Sequence, residues 1–224
     1  MASHTDTESR VVTDNGVGRI IHSDACVTEG AAWLAARHPR FADALAQIET
    51  LPLRRHPDGF AELLNAIVGQ QLSIASAASI WTRMSNAGLT EPDAIIAASD
   101  EEMRAAGLSR QKVRYARALA EASIDFNALR SKPDAEVVAI LTEVSGIGVW
   151  TAEIYAMFAL GRADVFAPGD LALQEGARLL FDLPERPKER ALRKMAEDWS
   201  PWRAVAARVL WAYYHVKKDR EGIR

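Results

Sequence analysis

Cysteine is nearly absent from the sequence, and its histidines form no metal-binding pattern. Cys26 is the single cysteine among 224 residues, which excludes an intrachain disulfide and a metal centre held by several thiolates. The five histidines include no i, i+4 pair of the kind found in zinc hydrolases. We therefore expect no metal bound by side chains.

Long apolar runs and a strong excess of basic charge are also missing. No run is long enough to cross a membrane, and Met1–Asn15 is polar, without the apolar core of a signal peptide. We therefore expect a soluble, cytoplasmic protein with no membrane partner. The net charge of −3 neither supports nor excludes binding to nucleic acid. Basic residues cluster in Arg110–Arg117, Arg186–Lys194 and Arg203–Arg220, which permits a locally positive face.

The apolar residues follow a helical period through most of the chain. They make up 49% of the sequence, which is enough for a sizeable core, and no alternating strand pattern of useful length is present. The pattern predicts helices over Asp24–Arg37, Arg40–Thr50, Phe60–Val68, Ile74–Asn86, Glu91–Ala98 and Arg110–Phe126. The predicted caps of these helices include Asp58, Ser73 and Ser109, and Ser99 starts a further short helix that ends at Gly107. Residues 1–22 are polar, and we expect them to be a disordered lead-in to a folded core of residues 23–224.

A glycine turn within Leu141–Gln174 is the most informative local feature. Gly146-Ile147-Gly148 separates two apolar helical segments, and its glycines permit a tight turn with positive φ. The second helix begins at Val149, where unpaired N–H groups and the positive end of the helix dipole make a site for a phosphate oxygen. A Gly-x-Gly turn alone is more often an ordinary helical hairpin, so its meaning depends on the surrounding residues.

The residues around this turn resemble a known superfamily. The segments V-S-G-I-G-V-W-T-A and D-V-F-A-P-G-D resemble the helix-hairpin-helix DNA glycosylases, whose signature is a Gly/Pro-rich loop and a catalytic aspartate. Asp170 lies 22 positions after Gly148, in the order and at the spacing of that superfamily. Trp150 and the segment Ile67–Ser73 most resemble the DNA-3-methyladenine glycosylase II branch, which acts on alkylated purines. The resemblance runs from about Phe60 to Tyr214.

The resemblance implies an all-α fold with two interwoven helical lobes around a cleft. The central lobe would cover about residues 60–165, and too few residues precede Phe60 to form the β-rich N-terminal domain of longer members. The iron–sulfur branch, which resembles endonuclease III, needs four closely spaced cysteines and does not fit. No cofactor is required, although members often hold Na⁺ or K⁺ on main-chain carbonyls of the hairpin. We expect a monomer that binds double-stranded DNA at the nucleoid.

Asp170 is the candidate catalytic residue. Cleavage of the bond between sugar and base leaves an oxocarbenium-like sugar, which a carboxylate can stabilise while it helps to deprotonate the attacking water. The alternative is that Asp170 only caps the helix that begins at Leu171. Leu173 stands where a full capping box would have Glu or Gln, and the two roles are compatible because a capping carboxylate is rigidly held.

Trp150 decides the class of reaction that the resemblance implies. Bifunctional branches carry a lysine at this position, and its amine forms a Schiff base that leads to strand cleavage. An indole cannot form an imine. The resemblance therefore implies a monofunctional glycosylase that leaves an intact strand with an abasic site.

Three aromatic residues are candidates for the wall of a base pocket. Trp150, Tyr155 and Trp211 could hold a flipped, cationic alkylpurine, because aromatic faces attract cations. Trp211 lies about 180° from Trp202 around its helix and so is not part of the apolar stripe. The alternative for Trp150 is a conventional buried face. The best-known member has a tyrosine four residues after this tryptophan, where the present chain has Ile154.

DNA contacts are expected on the hairpin and on a second turn. The hairpin contacts are Gly146, Ile147, Gly148, Val149 and Thr151. The second turn, Gly69–Ser73, is where the family inserts a wedge into the space left by a flipped base, and Gln71 and Leu72 are the candidates. An ordinary turn whose glutamines bond to the backbone is an equal alternative.

Two other functions are compatible with the sequence. A glycosylase for uracil or a mismatched base would keep the mechanism and change the pocket. A non-catalytic helix-hairpin-helix module would bind DNA through the hairpin alone and would not need Asp170.

Overall fold

The computed structural model describes residues 17–220, with side chains to residue 218. The described chain is helical, and its only β-type pairing is an isolated bridge between Ile20 and Arg162. The predicted all-α class is confirmed. The α-helices are α1 (Asp24–Arg37), α2 (Pro39–Leu45), α3 (Phe60–Gly69), α4 (Ile74–Asn86), α5 (Pro92–Ala97), α6 (Asp100–Ala105), α7 (Arg110–Glu121), α8 (Phe126–Leu129), α9 (Asp134–Thr142), α10 (Val149–Phe158), α11 (Leu171–Phe181), α12 (Glu189–Met195) and α13 (Arg203–Arg220). A short 3₁₀ helix, Ala196–Trp199, follows α12.

Serine caps begin three helices as predicted. The Ser73 and Ser109 hydroxyls accept hydrogen bonds from backbone N–H groups of the first turns of α4 and α7. Ser99 forms a complete capping box, in which the Glu102 carboxylate accepts from the Ser99 N–H at 2.7 Å. These local signals are reliable because each partner lies within three residues.

Two helices end several residues earlier than predicted, and one predicted cap is absent. Helix α2 ends at Leu45 rather than at residue 50, and α7 ends at Glu121. The chain then turns through Ser123, which has a φ of 48°, before α8 begins. Asp58 does not cap α3, because its carboxylate bonds to Tyr155 instead.

The helices form two groups that share one core. Helices α3–α7, α9 and α10 pack against one another, and α11–α13 return to pack against α1 and α2. Close approach in the second group depends on Gly30 and Gly176. A Cβ at Gly30 would lie 2.7 Å from the Trp202 ring, and one at Gly176 would lie 2.6 Å from the Leu210 carbonyl oxygen. The groups are interwoven because the second is built from both ends of the chain.

Residues 17–22 belong to the folded core, which corrects part of the expected lead-in. Ile21 is fully buried and its N–H donates to the Gly161 carbonyl at 2.7 Å. The Arg19 backbone carbonyl accepts from the Ala163 N–H at 3.0 Å. The hydrophobic side chain at position 21 explains why this segment packs. The rest of the predicted lead-in, residues 1–16, lies outside the described residues. Between residues 17 and 220, no helix combines the length and hydrophobicity needed to cross a membrane.

Candidate active site

The two glycines of the hairpin have different local environments. Gly146 has a φ of 97°, and a Cβ there would lie 2.4 Å from Cγ of Tyr115. Gly148 has a φ of −87°, is exposed, and has open space around its Cβ position. Ile147 is buried between them, so its side chain packs into the core and does not reach the surface on which a DNA contact was expected. Gly146 is therefore required by the fold, whereas Gly148 leaves space for a ligand.

The start of α10 is open to solvent. Val149 is 46% exposed and Trp150 is 44% exposed, and the Gly148 carbonyl already accepts the helical bond from Ala152. The N–H groups of this first turn have no partner within the helix, which suits them to a phosphate oxygen. Thr151, by contrast, is buried, so its side chain does not reach the same surface.

Asp170 is held by four N–H donors. As the cap of α11, its Oδ1 accepts from the backbone N–H groups of Ala172 at 2.9 Å and Leu173 at 3.0 Å. The Trp211 indole also donates to Oδ1, at 3.2 Å, and the Trp150 indole donates to Oδ2 at 3.2 Å. The cap and the convergent indoles are therefore parts of one arrangement. Among the described contacts, Oδ2 is the less occupied oxygen.

The loop before Asp170 is held by a buried glutamine that the sequence analysis did not single out. Gln174 is 7% exposed, and its side-chain amide donates to the Pro168 carbonyl at 2.8 Å. The Asp170 N–H also donates to the Ala167 carbonyl at 3.0 Å. The sequence position of Gln174 could have indicated its role, because it lies one turn after Asp170 on the same helix face as buried Ala177.

The structure brings Trp150 and Trp211 together at the carboxylate. Trp150 is too exposed for the alternative of a conventional core residue. Trp211 is 8% exposed, its ring lies 5.7 Å from that of Phe158, and the guanidinium carbon of Arg54 lies 5.7 Å from its ring centroid. The two indoles thus differ, since one is open to solvent and the other is covered.

Tyr155 is not brought to this site, which corrects its expected place in a base pocket. It is 3% exposed, its hydroxyl donates to an Asp58 carboxylate oxygen, and it accepts from the Gly59 N–H at 3.0 Å. Burial, with help from the Asp58 hydrogen bond, raises the pKa of Tyr155. Five helical residues separate it from Trp150, a rotation of about 140° that directs it elsewhere.

The predicted wedge turn lies beside the hairpin. The Gln70 amide donates to the Gly146 carbonyl at 2.8 Å, whereas Gln71 is exposed with a φ of 57° and Leu72 is 40% exposed. One glutamine therefore bonds to the backbone, as the alternative interpretation supposed, and the two wedge candidates remain available. The sequence analysis missed Ile74, the first residue of α4, which is 91% exposed.

The described residues contain no group of three or more His, Cys, Asp or Glu side chains arranged to hold a metal ion. A monovalent cation on hairpin carbonyls needs no such group. Of these carbonyls, that of Gly146 is already engaged by Gln70.

Comparison with known proteins places this geometry in a family. Residues 64–201 match the family model described as HhH-GPD superfamily base excision DNA repair protein. The chain belongs to this family. The hairpin, the wedge turn and Asp170 all lie within the matched range of the HhH-GPD protein, and Trp211 lies beyond it.

Individual relatives are similar over most of their length. DNA-3-methyladenine glycosylase 1 of Schizosaccharomyces pombe is 34% identical over 162 residues, which cover 68% of this HhH-GPD chain and 71% of the relative. The structure of a 3-methyladenine DNA glycosylase (Mag1) from the same organism, in complex with abasic DNA, has a TM-score of 0.72 and 29% identity. That match covers 82% of this chain and 95% of the other. The structure of a DNA-3-methyladenine glycosidase from Bacillus halodurans has a TM-score of 0.73 and 32% identity. That match covers 90% of this chain and 94% of the other.

Proposed function

We propose that this HhH-GPD protein is a monofunctional DNA glycosylase that removes alkylated purines, such as 3-methyladenine and 7-methylguanine, from double-stranded DNA. The observation that carries the proposal is the position of Asp170, whose Oδ2 accepts a hydrogen bond from exposed Trp150 at the start of the hairpin helix. The names of the relatives support the choice of alkylated bases.

DNA binding depends on the backbone of the hairpin and on the wedge turn. The exposed N–H groups at the start of α10 bind a phosphate oxygen next to the lesion. Gln71 and Leu72 enter the space that the flipped base leaves in the stack, since both are exposed on a turn tied to the hairpin by Gln70. The protein acts as a monomer, and a Na⁺ or K⁺ ion on main-chain carbonyls would add to the positive charge of the hairpin.

The carboxylate then acts on the exposed sugar. Oδ1 of Asp170 is committed to its backbone donors and to Trp211, so Oδ2 is the oxygen that faces the reaction. Negative charge there stabilises the oxocarbenium-like state as the base leaves, and the same oxygen accepts a proton from the attacking water. The fixed donors prevent the carboxylate from rotating during this step.

Base selection and product follow from the two indoles. An alkylated, cationic purine leaves more readily than a neutral one, and it stacks favourably on an aromatic face. Trp150 supplies such a face and has no amine to attack C1′, so no Schiff base forms. The product is a free base and an intact strand with an abasic site.

Release of free bases from methylated duplex DNA tests the proposal. We expect 3-methyladenine and 7-methylguanine in the soluble fraction, and strand breaks that appear only after treatment with alkali. Borohydride should trap no covalent complex. Binding to abasic DNA without any base release would favour a binding module, and release of uracil alone would favour a glycosylase of different specificity. Strand breaks without alkali would contradict the monofunctional mechanism.

A further inference from the structure

The chain between α2 and α3 passes over the two helices that carry the indoles. Residues 51–58, which we call the strap, contain no helix and form hydrogen bonds with both α10 and α13. At one end the Leu53 carbonyl accepts two bonds from the Arg208 guanidinium, at 2.8 and 3.2 Å. Further along, the His56 N–H donates to the Phe158 carbonyl at 3.1 Å. The strap is therefore fixed on both sides of Arg54.

Tyr155 fixes the far end of the strap. Its hydroxyl donates to Asp58 and accepts from the Gly59 N–H, so the residue expected in the pocket instead holds one end of the strap. Between these anchors Arg54 adopts a left-handed conformation with a φ of 47°. Non-glycine residues rarely adopt this conformation unless the surrounding structure imposes it.

Arg54 covers the indole that binds Asp170. Its guanidinium carbon lies 5.7 Å from the Trp211 ring centroid, within the range of a cation–π contact. Trp211 is 8% exposed, whereas Arg54 itself is exposed. A flipped base can stack on the covered face of Trp211 only if the Arg54 side chain moves aside. The stacked base then lies next to the positive charge of the Arg54 guanidinium.

The surroundings of Arg54 are rich in positive charge. Arg208 is buried within the core, and burial together with the charges of Arg54 and Arg55 lowers its pKa to about 10. Arg54 is the member of this group that lies on the Trp211 ring. The neighbouring Arg55 points elsewhere, because one of its terminal nitrogens lies 2.0 Å from the Cβ position of Gly161.

We propose that Arg54 is a specificity residue that reduces the preference of the pocket for cationic bases and so widens its range to neutral damaged purines. The inference rests on the proposed function and concerns the same pocket. The physical reason is repulsion between the guanidinium and the positive charge of an N-alkylated purine. A neutral purine such as 1,N⁶-ethenoadenine stacks on Trp211 without that cost.

The expected size of the effect follows from the distance. At a separation of about 7 Å and an effective dielectric constant of about 20, repulsion between unit charges changes a binding constant by more than tenfold. Because Arg54 is exposed, solvent and salt screen this repulsion, and an effect of about fivefold is expected.

Equilibrium binding to matched duplexes tests the inference without relying on turnover. One duplex carries 7-methylguanine and the other 1,N⁶-ethenoadenine, each on a 2′-fluorinated sugar that slows cleavage by destabilising the oxocarbenium. We expect Arg54→Gln to shift the ratio of the two Kd values toward the cationic base by about fivefold. Arg54→Lys, which keeps the charge, should leave the ratio within about twofold of wild type.

Arg55→Gln is the matched control, because it removes the same charge one residue away. Its ratio should also stay within about twofold of wild type. The inference is overturned if Arg54→Gln does not shift the ratio, or if Arg55→Gln or Arg54→Lys shifts it equally. Equal affinity of the wild type for damaged and undamaged duplexes overturns it as well.

Parallel assays of base release from unfluorinated DNA separate the role of Arg54 from the proposed glycosylase activity. A shifted binding ratio with no base release by the wild type would leave the role of Arg54 intact and reject the glycosylase. Base release with an unshifted ratio would reject the role of Arg54 alone.

Discussion

The side-chain amide of Gln70 donates a hydrogen bond of 2.8 Å to the main-chain carbonyl of Gly146. This bond joins the wedge turn to the hairpin. Helix α7 supports both, because Lys112 donates to the Val68 carbonyl at 2.6 Å and Tyr115 packs beneath Gly146. The Lys112 segment, which belongs to the basic cluster Arg110–Arg117, is thus part of the platform beneath the two turns that we propose bind DNA.

Replacement of Gln70 should loosen this platform. Gln70→Ala removes a partly buried hydrogen bond and should lower the free energy of unfolding by about 1 kcal/mol. Affinity for abasic duplex DNA should fall more than the single-turnover rate at saturating protein. Urea unfolding and fluorescence anisotropy measure the two effects. Gln71→Ala, at the exposed neighbouring position, should change stability by less than about 0.5 kcal/mol. An equal loss of stability in both variants would contradict the structural role of Gln70.

The two hairpin glycines offer a matched pair of substitutions. Gly146→Ala places a Cβ 2.4 Å from the Tyr115 ring at a φ of 97°, so it should destabilise the protein by about 1–3 kcal/mol. Gly148→Ala meets no atom within 4 Å and should unfold at the wild-type urea concentration. Its methyl group instead occupies space needed by the phosphate and should weaken binding to duplex DNA. Wild-type affinity in folded Gly148→Ala would show that phosphate does not bind there.

The Trp150 indole N–H can be removed while an aromatic ring is kept. Trp150→Phe loses the N–H donor that orients Oδ2 of Asp170, and misplacement of a catalytic group slows a reaction, so single-turnover base release should slow by about tenfold or more. Stability should change little, because this side chain is 44% exposed. Trp33→Phe, in α1, serves as the control for replacing a tryptophan. A rate within twofold of wild type would mean that the indole does not act through Asp170.

Glu153 should make stability depend on pH. It is 5% exposed and paired with Arg193 at 2.9 Å, and burial raises its pKa although Arg193 opposes the shift. The folded state thus holds the proton more tightly than the unfolded chain. The stability gained from this tighter proton binding at Glu153 is complete below the unfolded pKa of 4.5. It is lost as pH rises through the higher folded pKa. The stability of Glu153→Gln relative to wild type should therefore increase between about pH 4 and pH 7 in urea titrations. A constant difference would contradict the raised pKa.

Local signals made the hairpin and the capping aspartate predictable. Gly146 and Gly148 mark a turn, Asp170 precedes an apolar run, and the helical period identifies Trp211 as lying off its stripe. Each inference needs residues within one or two helical turns. The order of these features along the chain carried the resemblance to the family.

Contacts across the chain were not predictable in the same way. Arg208 was assigned to a basic cluster with the capacity to form a positive face, but it is buried and bonds to the carbonyl of Leu53. Tyr155 was placed in the pocket because it is aromatic and close to Trp150, whereas Asp58 determines its direction. Neither partner can be identified from spacing, since the residues that meet are separated by 155 and 97 positions.

Asp170→Asn isolates the carboxylate charge. Asparagine retains an oxygen that can cap α11 through Ala172 and Leu173, so the variant should fold and bind abasic duplex DNA with an affinity close to that of wild type. The single-turnover rate of 7-methylguanine release should fall by at least about a hundredfold, because the charge that stabilises the oxocarbenium and accepts the proton of water is gone. A folded Asp170→Asn protein that releases the base within about tenfold of the wild-type rate would contradict a catalytic role for this carboxylate.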